Sequence, residues 1–165
     1  MRMRLACLTV AVAALVSGCG LGASVYSEPY DPTEGANGET NGILLRNAFM
    51  IGAPGGRPLR QGEDVPLYFT VVSERATDDR LVEIGSPGLF DGARVRGDVS
   101  VIPRQRRVGG TPEPQALLTG LTRPLRSGEH VPVTFRFERA GRIEVNVPVL
   151  PPSDWRATFR PWQEG

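Results

Sequence analysis

No lysine occurs anywhere in the 165 residues; all 19 basic residues are arginine. Schiff-base catalysis, which needs an amine, is therefore excluded. We read this lack as codon pressure in a high-GC bacterium, an actinobacterium on this reading. Excess charge of one sign is missing as well. Without Arg2 and Arg4 at the extreme N-terminus, 17 arginines face 18 acids. No basic surplus remains to neutralise a phosphate backbone, so nucleic acid is not an expected partner. Soft and imidazole donors are few: two cysteines (Cys7 and Cys19), one histidine (His130) and three methionines, of which only Met50 lies past the first few residues. Finally, no window of a dozen residues carries a 3.6-residue apolar stripe free of Pro or Gly, so no long amphipathic helix is expected.

What is present begins at the N-terminus. Arg2 and Arg4 form a basic head, Leu5 to Val16 is a weakly polar to apolar run, and Val16-Ser17-Gly18-Cys19 closes it. These are the parts of a secretory signal. A membrane-spanning helix needs about 20 apolar residues, and this run is shorter. The cysteine directly after the small pair resembles the bacterial lipobox, in which the thiol is diacylated and the chain is cut just before it. That resemblance implies a signal peptide over residues 1–18 and a mature chain starting at a diacylglyceryl-Cys19. Two acyl chains suffice for stable attachment where one holds only marginally. The implied location is the cell membrane, lipid-anchored, on its extracytoplasmic face. Cys7 would leave with the signal, so no free thiol, disulfide or thiolate metal site would remain. A Cys7–Cys19 disulfide is the alternative, and it requires the signal to be retained.

The 147 residues from Cys19 onward are enough for one core and not for two. Gly20 to Asn41 is rich in Gly, Pro, Ser, Asn and Glu and nearly free of aliphatic residues. We expect residues 19–41 to be a flexible tether, because such a stretch buries too little apolar surface to order. Residues 42–150 are the expected folded domain, and 151–165 an aromatic tail. Inside the domain the pattern has period two. Val131, Val133, Phe135 and Phe137 alternate with polar residues, as do Ile143, Val145, Val147 and Val149, with Arg139-Ala140-Gly141 as the turn of a hairpin. Val65 to Ser73 is a fuller apolar run, followed by Leu81 to Ile84; Ile43 to Phe49, Val95 to Ile102 and Gln115 to Leu118 are further strand candidates. The 15 prolines and 20 glycines punctuating short strands predict an all-β, antiparallel sandwich or barrel. Pro66, Pro132 and Pro148 are expected at edges or strand starts, since proline has no ladder donor.

In order along the chain, Tyr68-Phe69-Thr70-Val71, Asp79 to Pro87, Gly120 to Phe137 and Gly141 to Val149 resemble the periplasmic copper chaperones of the PCu(A)C family. The resemblance spans about Ile43 to Leu150 and implies a cupredoxin-like antiparallel β-sandwich. The family holds Cu(I) with histidines and methionine thioethers, soft donors suited to that ion. One of its His-x-Met pairs falls here on Gln115-Ala116-Leu117, so neither donor is present at Gln115 or Leu117. The other falls around Arg94 to Ile102, which holds no His or Met. His130 in a turn and Met50 in another segment are too far apart in sequence to replace them. No cofactor or metal is expected.

Other chemistry finds little support. Ser127 and Glu129 flank His130 on one turn, which does not build a catalytic relay. Glu63-Asp64 and Asp78-Asp79 lie in polar loops, where turn formation and solubility explain them. Gly55-Gly56 and Gly109-Gly110 lack a following Lys-Ser/Thr helix, so they are not phosphate loops. Two features remain. Arg94, Arg96, Arg104, Arg106 and Arg107 form a candidate patch for carboxylates, phosphates or a protein partner. Trp155, Phe159 and Trp162 would share a helical face, either folded back on the domain or free to dock a partner. The expectation is a non-catalytic, lipid-anchored interaction or adaptor module on a copper-chaperone scaffold; the alternative is a copper metallochaperone using other ligands.

Overall fold

The computed structural model describes residues 34–110 and 112–163. Cys19, the signal segment and the linker up to residue 33 lie outside the described residues. Ten strands make up the domain: β1 (Ala36–Thr40), β2 (Ile43–Ile51), β3 (Val65–Ser73), β4 (Asp79–Gly85), β5 (Phe90–Val95), β6 (Val101–Ile102), β7 (Arg107–Gly109), β8 (Ala116–Leu121), β9 (His130–Phe137) and β10 (Gly141–Leu150). A single helical turn, α1 (Gly97–Ser100), joins β5 to β6, and a 3-10 turn, Asp154–Thr158, opens the tail.

The strands form one curled sheet in the order β5-β8-β3-β2-β10-β9-β4-β6, with β1 added to β2 and β7 to β3. The curl brings its two halves face to face: Phe69 of β3 meets Phe135 of β9 edge-on, ring centroids 5.2 Å apart. This is the expected all-β sandwich. One joint departs from the antiparallel rule. β2 and β10 run parallel where Val149 faces Met50 and Leu150 faces Ile51, so the sheet is mixed.

Period two is what builds the core. Along β9, Val131, Val133, Phe135 and Phe137 are buried while His130, Pro132 and Arg136 face out. On β10, Ile143 opposite Phe135 and Val147 opposite Val131 are buried too, and Val145 opposite Val133 is partly buried. Each such side chain contributes roughly 1.5–3 kcal/mol on burial. The expectation that the three strand prolines lie at edges or strand starts needs correction, because β3, β9 and β10 are interior strands and only Pro66 is near a strand start. The donor argument holds locally instead. Pro132 lies beyond the end of the β4 ladder, Pro148 just before β2 joins β10, and Pro66 just outside the β2 ladder. Each sits in a strand of the sheet at a point where one neighbour is missing.

Three further expectations need correction. The tether was expected to reach Asn41, but Ala36–Thr40 is a strand. It needs little apolar surface because polar groups hold it to β2: the Asn47 N–H donates to Asn37 Oδ1 (2.7 Å) and the Gly35 N–H to Asn47 Oδ1 (3.0 Å). Gly38 lets it cross close to β10, since a Cβ there would stand 2.5 Å from Ile143 Cγ2. Val95 to Ile102 is not one strand; Gly97–Ser100 turns helically, leaving Val95 as the end of β5 and Val101–Ile102 as β6. Meanwhile β5, whose Asp91 and Gly92 interrupt its apolar pattern, was not anticipated.

Asp79 also has a more specific place than a solubilising loop. Its side chain is wholly buried. Its carboxylate accepts the N–H groups of Arg80 (2.7 Å), Arg139 (3.0 Å) and Ala140 (2.9 Å), and Arg75 Nε lies 3.6 Å away. The turn of the β9–β10 hairpin is thus tied to the start of β4.

Candidate functional site: a charged cleft on the β5–β8 face

Strand register decides which residues share this face. β5 and β8 are antiparallel, with Arg94 opposite Leu117 and Val95 opposite Ala116. The Arg96 N–H then donates to the Gln115 carbonyl at 3.0 Å. The two segments singled out by the copper-chaperone resemblance, Arg94 to Ile102 and Gln115 to Leu117, therefore lie side by side.

Their side chains do other work. Gln115 is 3% exposed. Its Oε1 accepts the Phe69 N–H at 2.7 Å, and its Nε2 donates to the carbonyls of Gly110 (2.6 Å) and Glu113. The amide ties Gly110 and Glu113 to β3, and Gly109 must be glycine beside it, because a Cβ would fall 2.8 Å from Gln115 Cγ at a φ of +75°. Leu117 is buried and has no donor atom. Arg96 occupies the front of the face: its Nη1 donates to Glu113 at 2.7 Å and its Nε to Asp98 at 3.2 Å. Glu113 in turn accepts from Arg160 Nη1 at 3.2 Å. The hydrogen bond to Glu113, with help from Asp98 and against a desolvation penalty, pushes the Arg96 guanidinium above its ordinary value. A copper ion asks for soft donors. Here it would meet a consumed amide, a leucine and a fixed cation, so these residues do not fit it. Among the described residues no cluster of three His, Cys, Asp or Glu is placed to hold any metal. His130 is exposed at the start of β9, and Met50 is fully buried in the core.

The tail completes the face. It does not form the expected helix: the 3-10 turn ends at Thr158, and Phe159 is extended (φ −69°, ψ 140°). Phe159 packs edge-on against Tyr68 (4.9 Å) and Phe49 (5.6 Å), which stack on each other. The Tyr68 hydroxyl donates to the Arg160 carbonyl at 2.8 Å, and burial pushes its pKa up to about 12. The Arg160 N–H donates to the Pro112 carbonyl at 3.1 Å. Behind it, Arg156 is buried against the Pro151 carbonyl, Ser153 Oγ and the Glu34 carboxylate. Trp162 arrives over β5, far enough along the extended chain that it cannot share a helical face with Phe159. The side chain of Trp155 lies outside the described residues. Between tail and strands opens a cleft of about 920 Å³ lined by Arg94, Arg96, Asp98, Glu113, Trp162 and Gln163.

The five candidate arginines divide by partner. Arg94 is 3.5 Å from Asp64, and Arg96 is paired as above. Arg104, Arg106 and Arg107 are exposed on the β6–β7 turn and have no ion pair among the described residues. Arg107 faces Val72 of β3, whereas Arg94 is aligned through Leu117 with Pro66. That is six residues along the strand, roughly 20 Å of backbone. Sequence reasoning missed Glu113, Asp98 and Arg160, whose role depends on strand pairing and on the path of the tail. It also passed over Tyr68, which reads as one more core residue of β3.

Residues 43–149 match the model of the family described as "Putative lipoprotein LpqE-like". The chain belongs to the LpqE-like family. It is 30% identical to "Putative lipoprotein LpqE" of Mycobacterium bovis over 169 residues, covering 90% of this chain and 92% of that one. It is 27% identical to the protein of the same name in Mycobacterium leprae, covering 84% and 82%. Among solved structures it is similar to "Apo PCuAC domain from PmoF1" (TM-score 0.60, 17% identity, 70% of this chain and 99% of that chain). A second similar structure is "Copper-bound PCuAC domain from PmoF2" (TM-score 0.59, 21% identity, 70% and 98%). At these identities the likeness shows the fold, which is the copper-chaperone sandwich expected from the sequence.

Proposed function

We propose that this protein is a lipoprotein held in the cell envelope by a diacylglycerol on Cys19, and that its β-sandwich is a non-catalytic interaction module. The N-terminal pattern and the naming of the mycobacterial relatives as lipoproteins support the anchor. The use made of Gln115 carries the second half. Its amide is satisfied at both ends by backbone groups, so the position that would offer a metal ligand serves instead to tie Gly110 and Glu113 to β3. A copper-carrying reading is kept alive by one observation, the likeness to a domain described as copper-bound.

Loading the purified protein with Cu(I) under reducing conditions separates the two. An interaction module retains no stoichiometric copper and melts at an unchanged temperature. A carrier with copper at a hundredfold excess over its Kd would gain about 2.7 kcal/mol, a shift that a melting curve reads easily. Such a gain, surviving His130→Ala and Met50→Leu, would overturn the proposal. The anchor has its own test: Cys19→Ser should abolish lipidation by mass spectrometry and remove the protein from the detergent phase.

A further inference from the structure

The cleft between the tail and β5 is a feature that the fold alone does not explain. Its volume of about 920 Å³ lies within the range of about 300–1,000 Å³ common to sites for small ligands. Its lining narrows the ligand chemistry. The cations Arg94 and Arg96 are balanced by Asp98 and Glu113, and each is already within ion-pairing distance of a carboxylate. An anionic ligand would have to displace one of these carboxylates, and a cationic ligand one of the guanidinium groups. An apolar ligand would strand charged groups away from water.

Some hydrogen-bonding capacity is left over. Arg96 uses Nε and Nη1, which leaves Nη2 as a donor, and Asp98 uses only Oδ1, which leaves Oδ2 as an acceptor, among the described residues. The Gln163 amide stands at the same wall with both a donor and an acceptor. Trp162 supplies an apolar surface. Its indole N–H is buried without an acceptor among the described residues, so the ring offers a ligand no exposed polar edge. A ligand that fits this lining is uncharged, carries neighbouring groups that donate and accept at once, and has a flat face of C–H groups to lie on an aromatic ring. That is the chemistry of a sugar ring.

We propose that the cleft binds a short stretch of neutral saccharide, with Trp162 as its platform and Arg96 and Asp98 as its hydroxyl-reading pair. The proposal rests on the interaction-module reading and names the partner class. The test uses the full chain in a zwitterionic detergent that carries no sugar. Calorimetric titration would use neutral gluco-, manno-, galacto-, arabino- and N-acetylglucosamine oligosaccharides, with inorganic phosphate and an oligoglutamate as controls.

At least one oligosaccharide should bind saturably, with an affinity that hardly changes between about 50 mM and about 500 mM salt. Trp162→Ala and Asp98→Asn should each weaken it by roughly tenfold or more, with little change in melting temperature because Phe159 still seats the tail. Failure of every oligosaccharide, binding confined to phosphate or oligoglutamate, or wild-type affinity in Trp162→Ala would overturn the proposal. Its failure is separable from that of the module reading. Copper uptake with saccharide binding intact would sink only the module reading; absence of both would sink only the saccharide cleft.

Discussion

Asp79 opens strand β4 and Arg96 follows strand β5, and the two charged residues end in opposite conditions. Around Asp79, three backbone N–H groups and the nearby Arg75 fill the carboxylate's valence, and the side chain is sealed from solvent. Around Arg96, two carboxylates leave one nitrogen unused, and the guanidinium stays one-third exposed. The difference lies in who supplies the partners. Backbone donors are fixed by the fold, so a carboxylate that takes three of them becomes part of the fold. Side-chain partners on a strand edge and a loop leave room for something else.

That contrast breaks most clearly by mutation. Asp79→Ala removes the acceptor for N–H groups at the buried hairpin turn and should cost about 3 kcal/mol or more in urea unfolding. Arg96→Gln, in the cleft, should cost less than about 1 kcal/mol, as exposed ion pairs do. Equal losses would erase the distinction. Gln115→Ala sits between the two. It leaves the Phe69 N–H without its acceptor inside the domain, for about 1–3 kcal/mol, although it stands on the cleft face.

The tail contact sharpens the comparison through pH. The Tyr68 phenol has its folded pKa raised from 10.0 to about 12 by burial. Its contribution to stability is therefore complete below pH 10 and declines as the pH rises towards 12. Phe159→Ala should open this packing, and spectrophotometric titration should then show the phenol ionising closer to 10. An unchanged titration would mean that Phe159 does not shield it. The smallest effect is expected outside both regions: Glu144→Gln breaks only an exposed 3.5 Å pair with Arg142 and should stay within about 0.5 kcal/mol of wild type.

Much of the fold was legible because β9 and β10 announce themselves by alternation, β3 by its apolar, β-branched run, and because Gly141, at φ +100°, marks the hairpin turn. Strands held by polar backbone pairing left no such mark. β1 carries no large apolar residue, and β7 is three residues long. The tail misled for a different reason. Trp155, Phe159 and Trp162 have helical spacing, yet the surface beneath them is a sheet, and an extended chain reaches from Tyr68 to β5 where a helix would not. Of the site, the two family half-sites could be placed by sequence order, and the structure brings them together as β5 and β8. The cleft itself could not be read, because Glu113 and Trp162 join it only through pairing and tail path.

The clasp between Glu34 and Arg156 has a mechanical side. If Cys19 is the anchor proposed above, a pull enters the described domain at residue 34, beside the Asn37–Asn47 lock that fastens β1 to β2. Tension along β1 loads the bonds of that ladder in shear, all at once, and Arg156 shares the load with the start of the tail. A partner held on the β5–β8 face would be the second point of attachment, so tension between membrane and partner would cross the sheet from β1 through β2 and β3 to β8 and β5.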